Sequence, residues 1–338
     1  MDNTEIELKF RAHKFNKNKF LSFLNEFPIL SDSIKNIQNT YFDTDEFLLG
    51  RQKAGLRIRK VNKEYIQTLK FITPNNRELI ERKEFNCKID NMKLDFNLFP
   101  SGVRKNILNG ISDVTCHPIF TTNFKREYWL ILLNNKSKIE VAFDNGMVKT
   151  NNNQCPISEV EIELIDGDME DLFFLASKLA LFDGLRIDFS SKASIGYQLS
   201  KHIIQKNNDD DPNKLPIIDY DSKYRVFKNY FIEMKRHEQT FLDFGNKKSL
   251  DAFIKTSQGL KKILELIDLD DLFEEKHCMK NFLSLIDDLN KLYEKTMFNF
   301  DNEEKLNEFD LIQFRDLFHT SDYLLFCLAM LEVNVIKY

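Results

Sequence analysis

Carboxylates and cations recur at every second position along several stretches in the front half of this chain. Glu5, Glu7 and Lys9 share one parity, as do Arg57 and Arg59, Arg82 and Glu84, and Glu159, Glu161 and Glu163. Lys70, Arg126, Glu140 and Asp144 stand in stretches of the same alternating kind. A strand sends successive side chains to opposite faces, so each stretch has a charged face and an apolar face. A small barrel ordinarily fills its interior with apolar side chains and wets its outside. If the apolar faces here pack outward against helices, these six basic and eight acidic groups point into the lumen, and such a lumen cannot be dry. A single strand of this kind is more often a solvated sheet face. The repetition over at least six stretches, each with its apolar partner face kept, favours the charged lumen.

A lumen of both signs has a chemical use. Arginine clamps phosphate through two parallel hydrogen bonds and lysine acts as a point charge. Clustered carboxylates hold a hard divalent cation such as Mg²⁺ or Mn²⁺ through oxygen ligands. Together they suit a metal-assisted attack of water on a terminal phosphoryl group.

The elements that must carry these groups follow from periodicity. Strand patterns cover 4–11, 38–43, 55–61, 65–72, 78–88, 120–133, 138–143 and 157–165, and helical patterns cover 14–26, 169–181 and 192–204. Turn residues separate several strands: Pro74-Asn75-Asn76, Asn134-Asn135 and Asp144-Asn145-Gly146. A polar segment with two prolines at 206–216 reads as a linker, and beyond it apolar residues fall at helical spacing over 223–242, 250–267, 279–293 and 311–333. The expected fold class is α+β. A closed antiparallel β-barrel with flanking helices occupies 1–205, and a smaller all-α bundle occupies 217–338.

The 338 residues are enough for two cores. Lys+Arg and Asp+Glu number 31 and 30 over 1–218 but 17 and 23 over 219–338, so neither half has the basic excess of a generic nucleic-acid binder. No apolar run reaches the roughly 20 residues of a membrane span, and the first residues have no signal-peptide core. Cys87, Cys116, Cys155, Cys278 and Cys327 are scattered and odd in number, which reads as reduced thiols in a cytoplasmic protein. His13, His117, His202, His277 and His319 have no metal-ligand spacing.

The ordered motifs make the picture specific. EIELKF at the start is similar to the ExExK signature of the CYTH family, the triphosphate tunnel metalloenzymes. NTYFDTDEFLL followed by KAGLRIR, then TLK, ERKEF, PIFTTNFKREYWL, IEVAFDNGMV, ISEVEIEL and SKASIGY come in that family's order and cover about residues 3–200. The resemblance is to the bacterial inorganic triphosphatase type. It implies metal-binding carboxylates at Glu5, Glu7, Glu161, Glu163 and Asp144, with Glu7, Lys9 and Glu161 catalytic. It implies a phosphate clamp of Lys9, Arg57, Arg59, Lys70, Arg82, Arg126 and Lys192, with Glu84 and Glu140 as supporting wall residues. Ile195 stands where the family's terminal motif usually has arginine, which removes one cation.

KRHEQTFLDFGN, with His237, resembles the front of the CHAD helical domain that follows the barrel in bacterial inorganic triphosphatases. A lone histidine there is more often a packing residue. The expected activity is hydrolysis of tripolyphosphate to pyrophosphate and phosphate, with Mg²⁺ or Mn²⁺ as cofactor and neither nucleic acid nor membrane as partner. Two alternatives stand beside it. One is a nucleoside or thiamine triphosphatase, or an adenylate cyclase, on the same barrel. The other is a non-catalytic polyphosphate-binding module, against which the paired carboxylates argue.

Overall fold

The computed structural model describes residues 2–72, 81–112, 115–134, 136–200, 223–245, 247–266, 276–298, 306–332 and 335. The expected linker at 206–216 and the turn at Pro74-Asn75-Asn76 lie outside them. The chain forms two compact units. The first takes residues 1–11, 21–172 and 189–209; the second takes 12–20, 173–188 and 210–338.

The first unit is a closed barrel. Its strands are β1 (Asp2–Ala12), β2 (Ile29–Asp43), β3 (Ala54–Val61), β4 (Glu64–Phe71), β5 (Glu81–Ile89), β6 (His117–Leu133), β7 (Ser137–Lys149) and β8 (Gln154–Asp166). They pair antiparallel in the order β5-β4-β3-β2-β6-β7-β8-β1, and β1 pairs again with β5 to close the ring. β1 divides its length between its two neighbours: residues 2–6 pair with β5 and residues 7–11 with β8. Closure leaves no unpaired edge among these eight strands.

Helix α1 (Lys17–Leu24) follows β1, and α4 (Met169–Leu179) follows β8. Alternation sets what faces in and out. Leu8 and Phe10 on β1 are buried on the outward side. Leu56, Ile58, Leu69 and Phe85, from β3 to β5, form one apolar cluster with Leu49 of α2 (Leu48–Arg51) and Val103 of α3 (Ser101–Asn106). The charged positions between them share the inner face.

One end of the barrel is filled differently. α5 (Lys192–Leu199) brings Ile195 and Tyr197 into a dry cluster with Ile37 and Tyr41 of β2, Phe120 and Phe124 of β6, Val148 of β7 and Ile157 of β8. These strand residues have the parity of the lumen positions, so the helix packs inside that end of the barrel against β2 and β6 to β8. The fit is tight: a Cβ on Gly196 would lie 2.1 Å from the Phe120 ring. Tyr197 Oη donates to Asp43 Oδ2 at 2.8 Å, and the same buried carboxylate accepts the backbone N–H groups of Thr44, Leu49 and Gly50. At the opposite end β2 runs out into solvent, with residues 29–36 exposed or half-exposed on both faces. The sequence pattern missed that half of β2 because no side of it is buried.

The second unit is helical: α6 (Lys223–Phe244), α7 (Lys247–Leu266), α8 (Lys276–Phe298), α9 (Glu308–Phe318) and α10 (Ser321–Glu332). Buried rings of Phe241, Phe253, Phe314 and Phe318 meet edge to face in its core. The single helix expected over 311–333 is two helices. His319 ends α9, and Thr320 Oγ1 accepts the N–H of Tyr323 as α10 begins. The short strand β9 (Leu185–Ile187) packs against α10. Arg186 donates to Glu238 Oε1 at 2.8 Å, where Lys235 and Tyr323 also bind the same fully buried carboxylate. Among the described residues, no helix is long and apolar enough to cross a membrane.

Candidate active site

The inward charges form two groups with opposite electrostatic character. The first surrounds Lys192, the second residue of the terminal Ser-Lys pair. Ser191 caps α5 by accepting the N–H of Ser194, which fixes the first turn, and the Lys192 stem enters the lumen over the Phe124 ring. Its Nζ lies 2.7 Å from Asp144 Oδ2 and 2.9 Å from Glu161 Oε1, and it also contacts Glu159. Arg126 joins from β6. Its Nε and Nη2 donate to the two oxygens of Asp144 at 2.8 and 2.7 Å, and it also binds Glu161. Asp144, Glu159 and Glu161 bring one oxygen each within 4.8 Å of one another. Burial opposes ionising Glu161, but Lys192, Arg126 and Lys9 outweigh it and hold the carboxyl well below its usual range. The carboxylates likewise raise Lys192 despite its burial. Glu161 is thus fully compensated by Lys192, Arg126 and the buried Lys9, whereas burial outweighs Lys192 and Lys9 at Glu159 and raises it.

The second group is short of cations. Glu7 on β1 stands directly opposite Glu163 on β8, and Glu163 stands opposite Glu140 on β7. Glu5 lies one lumen position from Glu7, opposite Arg82. Lys70 reaches into the group: it binds Glu5 and lies 3.7 Å from Glu7 and 3.5 Å from Glu84. Arg57 approaches Glu84 at 3.6 Å, and Arg57 with Lys70 overcomes burial to bring Glu84 down to about 2. That compensation does not extend to the others. Burial, then Glu5 and Glu7, push Glu163 up to about 8. Burial with Glu84, against the pull of Lys70, raises Glu5 to about 7.

A cation is strained in the converse sense. Arg59 on β3 donates Nε to Asn39 Oδ1 at 2.9 Å, and Asn39 Nδ2 donates to Thr122 Oγ1 at 2.7 Å. Among the described residues no carboxylate pairs with Arg59. Burial first, then Arg57 and Arg126, lower it to about 10.

The structure thus divides the five carboxylates expected as metal ligands. Glu5, Glu7 and Glu163 belong to the uncompensated group with Glu140. Asp144 and Glu161 join Glu159 around Lys192. Two polar residues of the wall, Asn39 and Thr122, were not singled out from sequence. Both are completely buried. Asn39 has the inward parity of Tyr41, the only sequence sign that it faces the charges. Ile195 is packed in the apolar end, so no cation reaches the lumen from that position. His237 lies on α6 beside Glu233 at 3.7 Å, its pKa lowered by burial.

A family profile described as CYTH domain matches residues 3–197. The chain belongs to the CYTH family. That match ends with α5 and does not extend into the helices. This CYTH chain is 31% identical over 256 residues to a protein of Haemophilus influenzae named inorganic triphosphatase, covering 76% of the chain and 66% of that protein. It is 36% identical over 66 residues to a Bacillus subtilis protein named as a triphosphatase, covering 20% of the chain and 34% of that protein. The chain therefore spans about two thirds of the first relative's length and one third of the second's. A solved structure from Hippeastrum, described as having a dominant triphosphatase activity, aligns at 19% identity and a TM-score of 0.41, over 57% of this chain and 95% of that one.

Proposed function

We propose that this CYTH protein hydrolyses inorganic triphosphate to pyrophosphate and phosphate in its barrel, with a divalent cation, Mg²⁺ or Mn²⁺. One observation carries the reading. The same lumen holds a half-buried guanidinium with no carboxylate partner among the described residues, Arg59, and a carboxylate set directly opposite another with no ion pair among those residues, Glu163. A metal–polyphosphate complex relieves both at once. A polyanion alone would leave the glutamates in conflict, and a metal alone would leave Arg59.

The donor set fits a hard divalent cation. Glu5, Glu7 and Glu163 offer only carboxylate oxygens, and like charges placed directly opposite across a ladder are destabilising until a cation lies between them. In this proposal these three hold the metal. Asp144 and Glu161, expected in the metal set, hold Lys192 and Arg126 in position. When bound, the cation supplies Lewis-acid polarisation of phosphoryl oxygens and lowers the pKa of water.

The remaining roles fall to the chain's own groups. Arg59, Arg57 and Arg126 line the walls as the clamp for phosphoryl oxygens, and Lys9, Lys70, Arg82 and Lys192 add point charges. These fixed cations offset charge as it spreads over the equatorial oxygens. Glu7 orients the attacking water beside the terminal phosphorus, and Glu161 keeps Lys192 and Arg126 aimed at the substrate. The chemistry belongs to the barrel domain, residues 1–205, in a cytoplasmic protein with reduced cysteines. The helical domain, 217–338, stands outside the reaction.

Phosphate release from tripolyphosphate, ATP and thiamine triphosphate, each with Mg²⁺, Mn²⁺ or chelator, tests the proposal. The expected result is metal-dependent turnover with the highest kcat/KM on tripolyphosphate. Preference for an organic triphosphate would reassign the substrate. Tight binding of tripolyphosphate without turnover under any metal would make the barrel a binding module.

A further inference from the structure

On the reading that the lumen takes a linear oligophosphate, we propose that Lys35 is a further phosphate-binding residue, gripping the outer end of the chain at the open end of the barrel.

The placement comes from strand register. Arg11, Glu159, Asp144, Arg126 and Lys35 form one continuous cross-strand row over β1, β8, β7, β6 and β2. Lys35 shares the parity of Ile37, Asn39 and Tyr41, all of which face inward. It therefore stands directly opposite Arg126 on the inner face, a like-charge pair that an isolated ladder would disfavour. Arg126 is satisfied by Asp144, Glu161 and Glu140. Lys35 has no ion pair among the described residues. Its Nζ lies 4.5 Å from the ring centroid of Tyr128, the next inward position on β6 after Arg126. An ammonium held by a ring face keeps its hydrogen-bond donors available, and the interaction is worth only about 0.5–1 kcal/mol at an exposed site. That is weak enough for a phosphate to draw the ammonium away.

The fold adds direction. α5 fills the β2 and β6–β8 side of the other end with apolar side chains, which favours entry of an oligophosphate past β2 and β6 at the end where β2 is exposed. Further out than Lys35, the same face of β2 carries only Ser33 and Ser31. Lys35 is thus the outermost cation on that face of β2, level with Arg126 across the β2–β6 ladder and further out than Arg59. A phosphate chain that reaches outward past Arg59 to the level of Arg126 would find a further counter-charge there. Lys35 escaped the sequence reading because the first half of β2 carries no alternating pattern.

The test uses the full chain with Lys35→Ala, Lys35→Arg and, as a control for net charge, Lys105→Ala on the exposed side of α3. Hydrolysis of tripolyphosphate and tetrapolyphosphate is followed with Mg²⁺. For Lys35→Ala, kcat/KM on tetrapolyphosphate should fall about tenfold, mostly through KM, and by less on tripolyphosphate. Lys35→Arg should stay within about threefold of wild type, because a cation is kept. If Lys35→Ala behaves as Lys105→Ala does on both substrates, the role is wrong. Should the wild-type protein turn over no triphosphate, the function proposal fails separately. The calorimetric Kd for tripolyphosphate, compared between wild type and Lys35→Ala, then decides the Lys35 contact: equal values overturn it, and weaker binding by the variant supports it.

Discussion

Glu7 and Glu163 face each other directly across the β1–β8 ladder, and Glu140 extends the row onto β7. Three acidic side chains on adjacent strands of one inner face are a repulsive arrangement that the fold nevertheless keeps. Its cost appears at Glu163, which burial, Glu5 and Glu7 push from 4.5 up to about 8. The arrangement makes the metal proposal measurable through stability as well as through activity.

In the absence of metal, the protein should become less stable as pH rises between about 4.5 and 8. Folded Glu163 keeps its proton through that window, whereas the unfolded chain has released it, so the unfolded state binds fewer protons and stability falls. The contribution is whole below about 4.5 and lost above about 8. Glu163→Gln should flatten the slope. Mg²⁺ at pH 8 should raise the melting temperature of wild type more than that of the variant, with proton release on binding. Thermal melts against pH for both chains check this, and parallel slopes would remove Glu163 from the site.

Glu7→Gln should abolish hydrolysis while leaving the fold intact. The amide matches the carboxylate in shape but removes a negative ligand and, with it, part of the repulsion toward Glu163. The variant should therefore melt no lower than wild type without metal and gain less from Mg²⁺. Activity surviving at saturating Mg²⁺ would sink the role given to Glu7.

Arg59→Ala should lower kcat/KM for tripolyphosphate by about a hundredfold, through both KM and kcat, since the guanidinium meets the phosphate in ground and transition states. Asn39→Ala should cost about tenfold by freeing the Arg59 side chain, and nothing further in the Arg59→Ala background. A double-mutant cycle on kcat/KM measures this. Additive losses would mean that Asn39 acts independently of Arg59.

Glu238→Ala should destabilise the helical unit by about 3–5 kcal/mol, because Arg186 and Lys235 would both stay buried without their counter-charge. Glu238→Gln should cost less, since it retains acceptor geometry for Tyr323. Urea unfolding followed by far-ultraviolet circular dichroism gives both values, and a change under about 1 kcal/mol for Glu238→Ala would show that the cluster relaxes into solvent.

The charged faces were legible because a strand has a period of two: Glu5, Glu7 and Lys9 could be assigned to one side without knowing the partner strand. Their grouping was not. Which carboxylates share a cation depends on register. Only the pairing of Lys9 with Glu161 and Glu7 with Glu163 separates one compensated group from one that is not. Lys192 was recognised from its motif, but its position among Asp144, Glu159 and Glu161 follows from how α5 enters the barrel. Asn39 and Lys35 carry no motif, and β2 around Lys35 is exposed on both sides, so periodicity had nothing to report. In the back half, the split between α9 and α10 rests on a turn at His319 and Thr320 that an apolar pattern runs straight through.

The apolar packing of α5 inside one end of the barrel also bears on the order in which products depart. If the Lys35 end serves as the one door, passage is a single-file queue, and whatever enters first leaves last. The fragment lodged against the Tyr41 and Phe120 end cannot pass the fragment nearer Lys35, and the outer piece must go before the inner one is released. Product inhibition should then be unequal. The product held deeper compete directly with incoming substrate, while the outer one traps its companion behind it and acts as a mixed inhibitor.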